Sequence, residues 1–139
     1  MELRDRNDRG QVSDAMFLEK MQALSPLKRT EKEILQAWNG MLKPMPSMSE
    51  VVNTLKAEGH RLILFSNINA IHLSHILEHY PILQMFDEAQ YSCELGEIKP
   101  HDLFYRDAIS RFDLVPKDTL YLDDLSANVK AGLRHGFHG

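Results

Sequence analysis

The stretch that most constrains the fold is Leu62-Ile63-Leu64-Phe65-Ser66-Asn67. Four apolar residues run straight into a serine and an asparagine, after the polar segment Glu58-Gly59-His60-Arg61. An apolar run this short, bounded by turn residues, predicts a strand buried on both faces, as in a parallel sheet covered by helices. Its C-terminal end would bring a hydroxyl and free backbone N–H groups to one point, the edge where ligands sit in open α/β sheets. Ser66-Asn67 can equally cap the helix that follows, and an N-cap at the end of a strand is itself an anion-binding geometry.

The rest of the chain alternates around that strand. Ser47 or Ser49 is expected to cap a helix carrying Val51, Val52 and Leu55 and ending at Gly59. A helix is expected over 70–79 with Ile71, Ile76 and Leu77 as core positions, then a short strand near 88–92. A helix over 101–112 would carry Leu103, Phe104, Ala108, Ile109 and Phe112. A strand over 119–123, with Leu120-Tyr121-Leu122 buried, and a last helix over 126–135 complete the series. Such alternation predicts an α/β fold with a parallel sheet.

Residues 1–43 differ: they contain no strand candidate. Residues 1–12 read as a helix tail and a turn. Ser13 caps a helix carrying Phe17, Met21 and Leu24, and Thr30 with Glu33 forms a capping-box pattern before Ile34, Leu35, Trp38, Met41 and Leu42. The two prolines of Lys43-Pro44-Met45-Pro46 stop that region and stiffen a linker.

Composition excludes several classes. A net charge of −4 with no basic block argues against a binder of nucleic-acid backbone. No apolar run approaches the roughly 18–20 residues of a membrane span, and the N-terminus is too polar for a signal peptide. The single cysteine, Cys93, rules out an intrachain disulfide, fits a reducing compartment, and reads as a small buried residue rather than a nucleophile. A cytoplasmic protein is expected.

Three further stretches carry possible chemistry. Asp123-Asp124 would end a buried strand with two like charges, which repel unless a cation sits with them. Oxygen ligands of this kind suit Mg²⁺, although the pair can also cap the next helix. Lys99, between Gly96 and Pro100, is placed either to neutralise a phosphate or an aspartyl-phosphate, or as a solvated loop lysine. His72, His75 and His79 share one helical face, which suits a transition metal or simply a polar helix surface.

Taken in order, these motifs resemble the haloacid dehalogenase (HAD) superfamily, and within it the small-molecule phosphatases with a helical cap inserted early. A strand ending Ser66-Asn67 is followed by Lys99-Pro100 and then by Asp123-Asp124, with Asn128 and Gly136 behind. Gly59, Asn69, His72 and the early Gly10-Gln11-Val12-Ser13…Phe17 fit as well. The resemblance implies a Rossmannoid parallel sheet over 44–139, here incomplete, and a partial helical cap over 1–43. It implies that Ser66, through its hydroxyl, and Asn67, through its backbone N–H, bind phosphate. Lys99 would be catalytic as well as phosphate-binding, Asp123 and Asp124 would hold Mg²⁺, and the substrate would be a small phosphorylated metabolite such as a sugar phosphate. A non-catalytic relative that binds a phosphorylated ligand or a partner, and a 2-haloacid dehalogenase, are the alternatives.

The family's first motif, a strand ending Asp-x-Asp that supplies the nucleophile and the general acid/base, is not found in these 139 residues. In the family it precedes the cap, and its strand lies between the one ending at Ser66 and the one ending at Asp123. The sequence is therefore expected to be a fragment, truncated at both ends, or a degenerate copy. It should lack turnover as written, and its open sheet edges could drive self-association.

Overall fold

The computed structural model describes residues 2–139, and Met1, the first residue of the expected helical region, lies outside them. The element order is α1 (Leu3–Asp8), α2 (Asp14–Leu24), α3 (Glu31–Asn39), α4 (Pro46–Ala57), β1 (Ile63–Ser66), α5 (Ala70–His79), β2 (Glu88–Tyr91), α6 (Ser92–Leu95), α7 (Asp102–Arg111) and α8 (Ser126–Arg134). Short 3-10 turns occupy Pro81–Met85 and Pro116–Asp118. This is a helix-rich α/β fold with a short parallel sheet.

Helix starts follow local chemistry. The Ser13 hydroxyl accepts the Met16 N–H at the head of α2, and Thr30 and Glu33 form a reciprocal capping box on α3. Neither Ser47 nor Ser49 caps α4. That helix begins at Pro46, whose fixed φ suits the first helical position. Residues 3–8 form a helix of their own rather than a tail.

Strand β1 pairs with β2 in parallel, in register from Ile63 opposite Glu88 to Ser66 opposite Tyr91. Among the described residues the sheet holds these two strands, so β1 has one ladder partner and one open edge. For the same reason β1 is half-buried along its length, not buried on both faces as the apolar run predicts. The segment 119–123 is corrected more strongly. It is not a strand: Leu120 makes a single parallel bridge to His138. Only Tyr121 of the apolar trio is buried, while Leu120 and Leu122 are exposed. Alternation along an extended chain sends Tyr121 and Asp123 one way and the two leucines the other, where no described element covers them.

Two apolar clusters hold the chain together. Val12, Phe17, Leu18 and Ile34 pack against Ile71 of α5, which joins residues 3–39 to the α/β region. Phe104, Tyr105, Tyr121, Ala131 and Phe137 form the second cluster, with Phe65 of β1 packed on it. Ile71, Phe104 and Ala108 are buried as expected, but Leu77 and Leu103 are exposed on the outer faces of α5 and α7. Cys93 is half-buried. No helix among the described residues is long and apolar enough to cross a membrane.

Candidate active site

The C-terminal end of β1, the loop after α6 and the segment before α8 meet at one side chain, Lys99. Its ammonium donates to the Phe65 carbonyl oxygen at 2.9 Å and to Asp123 Oδ2 at 2.7 Å. These are the residues immediately before Ser66 and Asp124. Strand, loop and segment are therefore tied through Lys99, with Ser66 and Asp124 each one residue beyond one of its two partners.

The backbone around Lys99 is held as firmly as its head. The Lys99 N–H donates to Asn67 Oδ1 at 2.8 Å, and Asn67 Nδ2 donates to the Lys99 carbonyl at 3.0 Å. One residue after Asn67, Ile68 is held in the same way: Oγ of Ser92, the first residue of α6, accepts the Ile68 N–H at 2.8 Å and donates to the Ile68 carbonyl at 3.2 Å. Ser92 is fully buried. Gly96 ends α6 in the left-handed region at φ 82°. A Cβ there would meet nothing within 4 Å, so the glycine serves the left-handed turn. Ser66-Asn67 does not cap α5. Asn69 does, through Oδ1 accepting the His72 N–H at 3.0 Å.

Asp123 and Asp124 have different surroundings. Asp123 Oδ2 accepts from Lys99 and from the Tyr121 hydroxyl, each at 2.7 Å, and Oδ1 accepts from the Leu125 N–H at 2.9 Å and Asn128 Nδ2 at 3.0 Å. An ionised carboxylate has about four lone-pair positions, and protein donors take all of them. Burial raises its pKa, but the Lys99 ammonium and the three other donors outweigh burial and hold the carboxyl at about 2. Burial and the hydrogen bond to this carboxylate push the Tyr121 hydroxyl far above the usual phenol range, so it stays a donor. Asp124 is exposed beside it. For Mg²⁺, which takes one or two carboxylates with waters and phosphate oxygens, Asp124 fits as a ligand from this chain. Asp123 would fit only by giving up donors it already has. No group of three or more His, Cys, Asp or Glu side chains suited to a metal occurs among the described residues.

Several contributors were not expected from the sequence. Tyr121 serves Asp123 from two residues back, on the same side of an extended segment, a parity visible in principle. Arg9 pairs with Glu97, two residues before Lys99, and its Nη2 lies 3.3 Å from His101 Nε2. Nothing in the spacing of residues 9 and 97 signals that pair. The three histidines do not come together. His72 is buried, its Nε2 2.9 Å from the Trp38 carbonyl oxygen and its ring stacked on the indole at 4.8 Å. His75 and His79 stack on one another at 4.4 Å on the outer part of α5.

Comparison with known proteins shows the family. The profile of the haloacid dehalogenase-like hydrolases matches residues 4–136. The chain belongs to that family. As a HAD-like hydrolase it is 25% identical over 138 residues to a D-ribitol-5-phosphate phosphatase of Bacteroides thetaiotaomicron, covering 94% of this chain and 66% of that protein. It is 26% identical over 137 residues to mouse acyl-CoA dehydrogenase family member 10, covering 94% of this chain and 13% of the mouse protein. The HAD-like chain thus spans less than two thirds of these relatives. Its fold matches that of a HAD family enzyme of Bacteroides thetaiotaomicron solved with magnesium and inorganic phosphate, at TM-score 0.85 and 23% identity, covering 96% of this chain and 70% of that one.

Proposed function

We propose that these residues form the phosphate- and metal-handling part of a Mg²⁺-dependent phosphatase acting on a small phosphorylated metabolite, with a sugar phosphate the favoured class. The observation that carries the reading is the double contact of Lys99, whose ammonium joins the residue before Ser66 to the residue before Asp124. A relative named as a ribitol-phosphate phosphatase and a structural neighbour holding magnesium and phosphate support it.

In this reading the Ser66 hydroxyl and the Asn67 backbone N–H bind phosphoryl oxygens. Lys99 offsets their charge in a site where preorganised cations are worth far more than in water. Asp124 holds Mg²⁺, which when bound supplies charge neutralisation to the phosphoryl group. Asp123 acts behind them by fixing Lys99. Helices α1–α3 serve as a partial cap that limits access and excludes water. The attacking carboxylate would come from an Asp-x-Asp strand beside the open edge of β1, which these 139 residues do not include.

Calorimetric titration with inorganic phosphate, with and without Mg²⁺, tests the reading. Phosphate should bind, more tightly with Mg²⁺, and Asp124→Asn should abolish the Mg²⁺ dependence while Ser66→Ala weakens binding in both conditions. Phosphate uptake indifferent to both substitutions would overturn it. The same chain should show no Mg²⁺-dependent hydrolysis of p-nitrophenyl phosphate. Turnover at an enzyme's ordinary rate would mean that the attacking group lies among the residues present.

A further inference from the structure

We propose that the side-chain amide of Asn67 is a positioning device for Lys99, holding the lysine's backbone at the distance from β1 at which its ammonium reaches the phosphate corner. The inference rests on the phosphate reading of the site and extends it to a group that does not itself touch the ligand.

The geometry is specific. Asn67 accepts the Lys99 N–H at 2.8 Å and donates to the Lys99 carbonyl at 3.0 Å, so a single planar amide satisfies both backbone groups of one residue. An amide carries its donor and its acceptor on separate atoms, so it can span the two backbone groups of Lys99 at once. The other end of Lys99 is pinned by Phe65 and Asp123. The lysine is thus clamped at backbone and head, and the loop of Ser66 is clamped in return. The buried Ser92 repeats the device one residue on, bonding both the N–H and the carbonyl of Ile68. Two side chains, Asn67 spanning Lys99 and Ser92 spanning Ile68, therefore fix the segment after β1 against the Lys99 loop and the start of α6. The amide of Asn67 is engaged in this brace, which leaves its backbone N–H for an anion.

Two variants and two readouts test the inference on the 139-residue chain. Asn67→Ala removes both bonds. Asn67→Asp keeps the acceptor but, when ionised, turns lone pairs on the Lys99 carbonyl, and it regains a donor when protonated. Phosphate affinity relative to wild type should fall about tenfold for both variants at about pH 7.5. For Asn67→Asp alone, the deficit should shrink to within about threefold at about pH 3, below the ordinary aspartate pKa of about 3.9, where its carboxyl protonates. Comparing each variant with wild type at the same pH removes the titration of phosphate itself. Hydrogen exchange of the Lys99 amide should quicken at least about tenfold in Asn67→Ala, because its acceptor is gone. Variants that bind phosphate as wild type does, or an Asp variant whose deficit stays level with that of Ala as pH falls, would overturn the role. Failure of wild type to take up phosphate would instead overturn the phosphate reading, and the exchange of the Lys99 amide would then decide the brace alone.

Discussion

Lys99 Nζ lies 2.7 Å from Asp123 Oδ2, and the two side chains are 9% and 5% exposed. This ion pair spans the interval between the open edge of β1 and the segment leading into α8. Removing one partner of a well-buried pair strands the other charge and costs about 3–5 kcal/mol. Lys99→Met should therefore lower stability by about 3 kcal/mol, measured by urea unfolding. Asp124→Asn, at an exposed carboxylate, should leave the unfolding midpoint where it is.

The same carboxylate predicts an acid limit. Asp123 titrates at about 2 in the fold against an ordinary 3.8, so the folded state holds fewer protons between those values. Its contribution is complete above pH 3.8 and is lost as pH falls towards about 2. Asp123→Asn should flatten the stability–pH curve in that window while lowering stability above it. A curve of unchanged slope would count against the four-donor arrangement.

His72 acts in a higher window. Burial lowers its pKa from 6.5, more than the bond to the Trp38 carbonyl and the nearby Asp8 carboxylate raise it. The unfolded chain therefore takes up this proton first, and stability falls as pH drops below 6.5. Burial raises the pKa of Asp8 despite Arg4, an effect of opposite sign at lower pH, so the comparison is best made between wild type and His72→Gln. The variant retains a donor for Trp38 and should lose the decline that begins near pH 6.5.

Arg9 and Glu97 join the end of α1 to the loop of Lys99, with side chains 13% and 17% exposed. Arg9→Met and Glu97→Gln should each destabilise by about 2–3 kcal/mol and should couple by at least about 1 kcal/mol in a double-mutant cycle. Additive effects would mean that the pair contributes no joint stabilisation.

Gly10 sits at φ 66°, and a Cβ on it would lie 2.3 Å from the Cys93 carbonyl oxygen. Gly10→Ala should cost about 2–4 kcal/mol, strain and overlap together. Gly59→Ala, at φ 84° with nothing within 4 Å, should cost only about 1 kcal/mol. Equal losses in thermal unfolding would show that the contact with Cys93 is immaterial.

Much of this was legible in the sequence because it is written locally. Ser13, Thr30 and Glu33 act within one turn of their own helices, so α2 and α3 begin where expected. The span of α5 and the run into Ser66 are likewise local patterns. Of the three motifs only Ser66 ends an element; Lys99 lies in the loop after α6 and Asp124 in the segment before α8.

What failed depended on neighbours. Whether an apolar run becomes a ladder is decided by the strands beside it, and Leu120-Tyr121-Leu122 has only the bridge to His138. Which carboxylate of Asp123-Asp124 is saturated could not be read from two identical letters. It follows from Lys99, Tyr121 and Asn128 converging on the first. The sequence by itself determined helices α2–α5, α7 and α8, the strand β1 and the chemical groups near their ends, because caps and periodicity act over a few residues. Only the tertiary structure decided that Asn67 braces Lys99, that Arg9 reaches Glu97 and that Asp123 is enclosed while Asp124 is open, because hydrogen bonds between distant segments exist only once packing has brought them together.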